Sequence, residues 1–192
     1  MEKQITSDFL VLDTETTGLD AGVDEALQIS IINSDKEVLL NTYLKPKYRR
    51  SWPEAMSVNG ITPEMVEDAP TYDFAMQDMI NDIVEDKNVI LYNAAFDLNF
   101  VDLTNAKGVF CAMKVFSTEI VKEWHEKYND YRWQRLSTAF NHFSDMQSLE
   151  DKILLDNSHN SLSDSFMTLY VWQKMMELGY DKGKNYLLTN KI

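Results

Sequence analysis

Three short segments hold acid residues in a pattern that neither burial nor helix packing requires: Asp13-Thr14-Glu15-Thr16-Thr17-Gly18, Tyr92-Asn93-Ala94-Ala95-Phe96-Asp97 and His159-Asn160-Ser161-Leu162-Ser163-Asp164. Carboxylates drawn from such distant parts of one chain repel strongly when they share a partly dry pocket. A positive centre offsets that repulsion, and a pair of Mg²⁺ ions is the economical choice, with Mn²⁺ as its substitute. Asp13 and Glu15 stand two residues apart at what reads as a strand end, so both side chains leave the backbone on one side and can chelate a hard ion. His159 lies five residues before Asp164, where both can face one cleft.

Each segment alone has a plainer reading. Asp13-x-Glu15 could be two solvated acids at a loop entrance. It could also be a phosphatase-like aspartyl nucleophile, which the glutamate at position 15 and the lack of a later lysine context weaken. Asp97 opens a helix after a buried strand, where the helix dipole by itself favours a carboxylate. Ser161-x-x-Asp164 reads as a capping box at the start of the last helix. His125 and His142 fall in helix-like stretches and read as surface or packing residues.

The elements that must position these groups follow from apolar patterning. Residues 9–12 form an apolar run ending at Asp13 and opening into a loop with Gly18 and Gly22. Residues 27–33 and 38–44 are β-rich and separated by a turn, so the first three strands form an antiparallel meander. Pro53, Gly60, Pro63 and Pro70 make 51–71 irregular, with at most short helical turns. A helix over 72–84, a buried strand over 89–92 and a helix over 96–106 carrying Asp97 in its first turn come next. A short strand at 111–115 and helices over 118–127 and 136–143 follow, and the last helix runs over about 161–178 with Gly179 as its C-terminal cap. This order predicts an α/β fold with a mixed β-sheet, antiparallel in its first three strands and then parallel, flanked by helices.

With 192 residues, 44% hydrophobic and 11% aromatic, the chain can bury a core within a single domain over 1–192. One cysteine, Cys111, excludes an intramolecular disulfide and a cysteine zinc cluster, which fits a reducing cytoplasm. The polar N-terminus and its short first apolar run suit neither a signal peptide nor a membrane span, so a soluble cytoplasmic protein without a membrane partner is expected. A formal charge of −13 argues, taken alone, against a nucleic-acid partner. Part of that charge is the proposed ligand set, however, and the rest spreads over acid-rich stretches such as 78–86 and 119–126. Lys45-Pro46-Lys47-Tyr48-Arg49-Arg50-Ser51-Trp52 combines cations with two aromatics that could meet phosphates or bases, or is simply a solvated loop.

Taken together and in order, the three segments resemble the motifs of the DEDDh 3′-to-5′ exonucleases, the DnaQ-like family that includes the epsilon subunit of bacterial DNA polymerase III. Asp13-Thr14-Glu15-Thr16-Thr17-Gly18-Leu19 is similar to the first exonuclease motif, Asn93-Ala94-Ala95-Phe96-Asp97-Leu98-Asn99-Phe100 to the second, and His159-x4-Asp164 to the third. Asn59-Gly60-Ile61-Thr62-Pro63-Glu64-Met65-Val66 and Ala69-Pro70-Thr71 resemble the connecting segment, so the likeness spans about residues 8–178. Tyr92 stands where many relatives have histidine, and Ser161 and Ser165 stand where alanines are usual. The histidine five residues before the last aspartate favours the histidine branch over the tyrosine branch.

The resemblance implies a ribonuclease H-like fold and a two-metal site. Asp13, Glu15 and Asp164 would hold one ion, Asp13 would bridge to the second, Asp97 would support it, and His159 would act as general base. Thr14, Leu19 and Phe100 would touch the terminal nucleotide. The expected substrate is the 3′ end of single-stranded DNA, with RNA trimming as the alternative and a non-catalytic acidic DNA mimic or Ca²⁺ binder as a different class that has no need of His159. Since only residues 180–192 follow the last motif helix, a stand-alone enzyme of repair, end processing or phage DNA metabolism is expected over an obligate proofreading subunit, and several relatives suggest a homodimer.

Overall fold

Phe9, Leu10, Val11 and Leu12 offer water no polar face, and they form the first half of β1 (Phe9–Thr16), the middle strand of a five-stranded sheet. The structure is a computed structural model in which residues 8–145, 148–180 and 185 are described. β2 (Ala26–Asn33) and β3 (Val38–Tyr43) extend the sheet on one side as the expected antiparallel meander. β4 (Asn88–Leu91) and β5 (Gly108–Cys111) extend it on the other side, parallel to β1. Strand order is β3-β2-β1-β4-β5, the mixed sheet the sequence pattern predicts.

The two partners of β1 release it at different heights, and this opens the cleft. β4 pairs with β1 only as far as Val11 opposite Ile90, whereas β2 stays paired through Thr16, with a bulge after Glu15. Asp13 therefore sits inside β1 rather than at its end, opposite Ser30, on a stretch whose other edge has lost its neighbour. Ligand sites of open α/β sheets form at such places, beyond the carboxyl ends of parallel strands.

Helices cover the sheet. α1 (Pro53–Asn59) is two turns long, with Pro53 in its first turn and Gly60 ending it at φ 69°, so 51–71 is as broken as its prolines require. α2 (Phe74–Val84) is capped by Asp73, whose carboxylate accepts the Met76 N–H at 3.1 Å. α3 (Ala94–Asp97) is a single turn, not the expected helix over 96–106. Beyond it Val101 and Leu103 are buried, and the Asp102 side chain accepts the Thr104 N–H at 2.9 Å, an Asx turn that competes with helix. The strand expected at 111–115 ends at Cys111, where pairing with Leu91 stops, and α4 (Ala112–Val115) follows.

The helix expected over 118–127 is also replaced. A π-helical turn over Phe116–Val121 ends at Lys122, φ 55°, and the chain turns into a two-stranded ribbon of β6 (Trp124–His125) and β7 (Asp130–Tyr131). Cross-strand aromatic packing favours this outcome, with the Trp124 and Tyr131 rings edge-on at 5.3 Å. α5 (Leu136–Phe143) lies where expected, and α6 (Leu149–Asp156), capped by Ser148, had no anticipated counterpart.

α7 (Ser161–Glu177) packs across β1, β2 and β4 and against α5. Its buried Leu169, Val171 and Trp172 each contribute roughly 1.5–3 kcal/mol by leaving water. Ser161 and Ser165 are fully buried where the helix meets the sheet, and the Ser161 and Ser30 hydroxyls lie 2.6 Å apart. These small residues bring the N-terminus of α7 down onto β2, which carries Asp164 to β1. The cap of this helix is Asn160, not Ser161: its Oδ1 accepts the N–H groups of Leu162 and Ser163 at 3.2 and 3.4 Å. Gly179, φ 80°, closes the other end as expected, its N–H reaching Met176 O at 2.9 Å. Among the described residues no helix is long and apolar enough to cross a membrane.

Candidate active site

Asp13 and Glu15 come from β1 and Asp164 from the first turn of α7, and each offers an oxygen such that the three atoms lie within 4.8 Å of one another. Asp97, on α3, is 2% exposed and joins the cluster electrostatically. Thr14 holds it in place: the Thr14 N–H and hydroxyl donate to Asp97 Oδ1 at 3.2 and 2.8 Å. Because Asn160 caps α7, the Asp164 carboxylate is not consumed by the cap. Instead its Oδ1 accepts the His159 N–H at 3.2 Å. His159 sits at φ 66°, a strained left-handed position that this bond and the cap fix together. Its side chain lines the same cleft as the four acids.

Burial and mutual repulsion mark the cluster as short of positive charge. Burial is the main reason that the Asp13 carboxyl is raised well above the ordinary range, with the Asp97, Asp164 and Glu15 charges adding to it. Glu15 is pushed up to about 8 by burial and then by Asp164, against a lowering hydrogen bond from Asn59. Asp97 and Asp164 are raised to about 7 by burial, opposed by Thr14 and by the His159 N–H respectively. Hard oxygen donors with too much negative charge among them fit a divalent ion such as Mg²⁺ or Mn²⁺, and no thiolate or imidazole joins the convergent trio among the described residues.

A consequence follows for stability. A carboxyl whose pKa is higher folded than unfolded stabilises the protein below its unfolded value, near 4, and loses that contribution as pH rises through its folded value. Metal-free protein is therefore expected to lose thermal stability between about pH 4 and about pH 8, the span from the ordinary values to the raised ones of Asp97, Asp164 and Glu15. Mg²⁺ should raise Tm more at the alkaline end than at the acid end. Melting curves across this range with and without Mg²⁺ check it, and a pH-independent Mg²⁺ effect would contradict it.

The cleft measures about 700 Å³. Besides the acids and His159 it is lined by Thr14, Leu19, Asn59, Tyr92, Phe96 and Leu136. Leu19 stands on the rim, 85% exposed. A Cβ at Gly18 beside it would run into the Asp24 carboxylate and displace it from the Thr17 hydroxyl, which it accepts at 3.0 Å. Of the residues expected at the terminal nucleotide, Thr14 and Leu19 are in the cleft and Phe100 is not. Phe100 packs behind Phe96, ring centroids 5.1 Å apart, and faces a separate depression with Tyr48 and Tyr72. The single turn of α3 places Phe96, the residue before Asp97, on the cleft wall instead.

Asn59 has a role that spacing alone did not suggest. Its side chain donates to Thr16 O at 3.2 Å and accepts the Ile61 N–H at 3.0 Å, tying the end of α1 to β1 beside Glu15. Its place in the Asn59-Gly60-Ile61-Thr62-Pro63 segment was the available signal.

The basic loop after β3 is partly spent on structure. Trp52 is buried, its indole N–H donating to Ile61 O at 2.7 Å, so it cannot stack freely on a base. Arg49 pairs with Asp24 at 3.0 Å, and the Glu25 carboxylate accepts the backbone N–H groups of Lys47, Tyr48 and Arg49 at 2.7–2.9 Å. His142 sits edge-on to Phe116 at 5.4 Å, and His125 lies against Tyr128 at 4.7 Å, so both pack against rings outside the cleft.

A mixed sheet with helices on it, carrying an acidic cleft at its centre that holds a histidine, fits the ribonuclease H-like fold that the sequence resemblance implies. Residues 10–172 match the RNase_T family model, described as Exonuclease, and the chain belongs to this exonuclease family. The resemblance to DnaQ-like enzymes is thereby confirmed, and the chain is a nuclease acting on nucleic-acid ends.

Relatives agree. The chain is 29% identical over 184 residues to the uncharacterized exonuclease CP81 of Escherichia phage 186, covering 88% of both chains. It is 34% identical over 102 residues to the DNA polymerase III epsilon subunit of Haemophilus influenzae, covering 48% of this chain and 39% of that one. It is 27% identical over 175 residues to the PolC-type DNA polymerase III of Thermotoga maritima, covering 88% of this chain and 12% of that one. In fold it is similar to Exonuclease X in complex with 5′-overhanging duplex DNA, with TM-score 0.63, 20% identity and coverage of 88% of this chain and 92% of that one. The E. coli Exonuclease I complex with a dA16 oligonucleotide gives TM-score 0.65 at 20% identity, covering 90% and 41%.

Proposed function

We propose that this enzyme removes nucleoside 5′-monophosphates one at a time from the 3′ end of single-stranded DNA, using two Mg²⁺ ions or Mn²⁺ in their place. The observation that carries the reading is the convergence of Asp13, Glu15 and Asp164 within 4.8 Å, with Asp97 and His159 at the same cleft. Asp13, Glu15 and Asp164 would hold one ion, and Asp13 and Asp97 the other. When bound, such ions polarise the scissile phosphate, activate water and stabilise the leaving oxygen.

The chain's own groups do the rest. His159 accepts the proton of the attacking water as general base. Its backbone bond to Asp164 ties the position of that base to the ligand helix, so proton removal and metal binding are set by one local geometry. Thr14 fixes the Asp97 carboxylate, leaving Leu19 and Phe96 as the apolar surfaces for the last base. The buried single cysteine, Cys111, suits the reducing cytoplasm.

DNA is favoured over RNA by the oligodeoxynucleotide complex of the structurally similar Exonuclease I. Rates of nucleotide release from 3′-labelled single-stranded DNA and RNA of one sequence test the choice. Faster release from DNA is expected, faster release from RNA would reassign the enzyme to RNA trimming, and release from neither would remove the assignment.

A further inference from the structure

Large aromatic side chains left in water forgo a stabilisation of roughly 1.5–3 kcal/mol each, so several together mark a surface with a use. Residues 122–135 hold Trp124, Tyr128, Tyr131 and Trp133 interleaved with Lys122, Lys127, Arg132 and Arg135. Trp124, Tyr128 and Trp133 are 51%, 68% and 56% exposed. In a chain of charge −13 this stretch has four cations against three acids, Glu123, Glu126 and Asp130. Two of those acids are already engaged, Glu123 by Arg132 at 3.0 Å and Asp130 by Lys114 at 2.7 Å. The side chains of Lys122 and Arg135 form no ion pair among the described residues.

The aromatic groups are held ready rather than loose. The Lys114 ammonium lies 5.7 Å from the centre of the Trp133 ring. Lys114 is itself pinned by Asp130, so one part of the indole is fixed while more than half of the side chain stays open. Trp124 is braced edge-on by Tyr131 across the β6/β7 ribbon.

The segment also runs directly into the cleft. Tyr92, on the cleft wall, donates its hydroxyl to Gln134 O at 2.9 Å, and Leu136, the residue after Arg135, lines the cleft itself. Aromatic platforms interleaved with cations are how proteins hold single strands without sequence preference, the bases stacking and the phosphates meeting the charges.

We propose that residues 124–135 form a second nucleic-acid contact, on which a single strand stacks upstream of the nucleotides in the cleft, with Trp133 as the principal base platform and Arg135 as a phosphate contact. This deepens the exonuclease reading and rests on it. It gives an acidic enzyme a local means of holding an anionic polymer.

The test compares wild type, Trp133→Ala and Trp133→Phe on a long oligothymidylate and on the dinucleotide, which is too short to reach the ribbon. For Trp133→Ala, KM on the long strand should rise about tenfold, as expected for one lost stacked base, with kcat and both dinucleotide parameters unchanged. Trp133→Phe should recover most of the loss. An unchanged KM on the long strand would overturn the proposal, and so would equal losses on both substrates, which would mean damage to the cleft wall. If Trp133→Ala changes only the oligomeric state, the ribbon is a contact between copies and the proposal is overturned. Wild type inactive on both substrates would remove the exonuclease reading itself, whereas an active wild type with an unaffected variant removes only this inference.

Discussion

Asp164→Asn should lose Mg²⁺-dependent nucleotide release by on the order of 10³-fold or more, while the metal-free protein becomes more stable. The loss follows because metal-assisted stabilisation of the transition state is worth several kcal/mol and each 1.36 kcal/mol is tenfold in rate. The gain follows because Asp164 is raised to about 7 by burial, beside Asp13 and Glu15 that it helps to raise. Asparagine keeps an oxygen that can accept the His159 N–H, so the loop stays in place, and it removes a buried charge that has no cation to meet. At about pH 8 the gain should be on the order of 1–3 kcal/mol, with Tm rising by roughly 2–4 °C per kcal/mol. Mg²⁺ should stabilise this variant far less than wild type. Wild-type turnover would contradict the ligand role, and a less stable metal-free variant would contradict the electrostatic reading.

His159→Asn should cost about 10²- to 10⁴-fold in kcat, the usual contribution of a general base, and should leave Mg²⁺ stabilisation intact. Asparagine is the informative replacement because it tolerates the left-handed backbone that His159 adopts at φ 66°. The His159 N–H that reaches Asp164 belongs to the backbone and survives the change. A rate loss accompanied by loss of the Mg²⁺ effect on Tm would mean that residue 159 acts on the metal site rather than on water, and an unchanged kcat would exclude it as the base.

The parts of the fold that were legible in the chain are those where one local signal dominates. The apolar runs at Phe9–Leu12 and Val89–Leu91 have no alternative to burial, and Gly179 with the long apolar face before it marked the end of α7. The acids and His159 were legible through the order of the three segments, since each alone reads equally well as a cap or a surface residue. What was missed depended on competition between signals. Leu98 and Val101 follow α3 at helix-like spacing, yet the Asx turn at Asp102 and burial of Val101 and Leu103 favour a compact turn. Phe96 lines the cleft, and Phe100 packs behind it.

Residues 118–127 read as a helix in an acid-rich stretch, and the partner that decides the matter, Tyr131 against Trp124, lies outside the window. Trp52 looked available for stacking, but the apolar residues that enclose it come from elsewhere, Leu27 from β2 and Ile61 and Val66 from the segment after α1. Ser161-x-x-Asp164 satisfied the capping-box pattern, yet Asn160 one residue earlier takes the cap, which is what frees Asp164 for the cluster.

The Asp13, Glu15, Asp97, Asp164 and His159 cleft is expected to hydrolyse a strand from its 3′ end. The most direct measurement follows a 5′-labelled single-stranded oligodeoxynucleotide on a sequencing gel, with Mg²⁺ and with excess EDTA, while identifying the released product. A ladder of labelled strands shortening one nucleotide at a time, nucleoside 5′-monophosphate as product and no reaction in EDTA are the expected result. Immediate release of the labelled 5′ nucleotide, internal cuts without a ladder, nucleoside 3′-monophosphates, or undiminished cleavage in EDTA would contradict it.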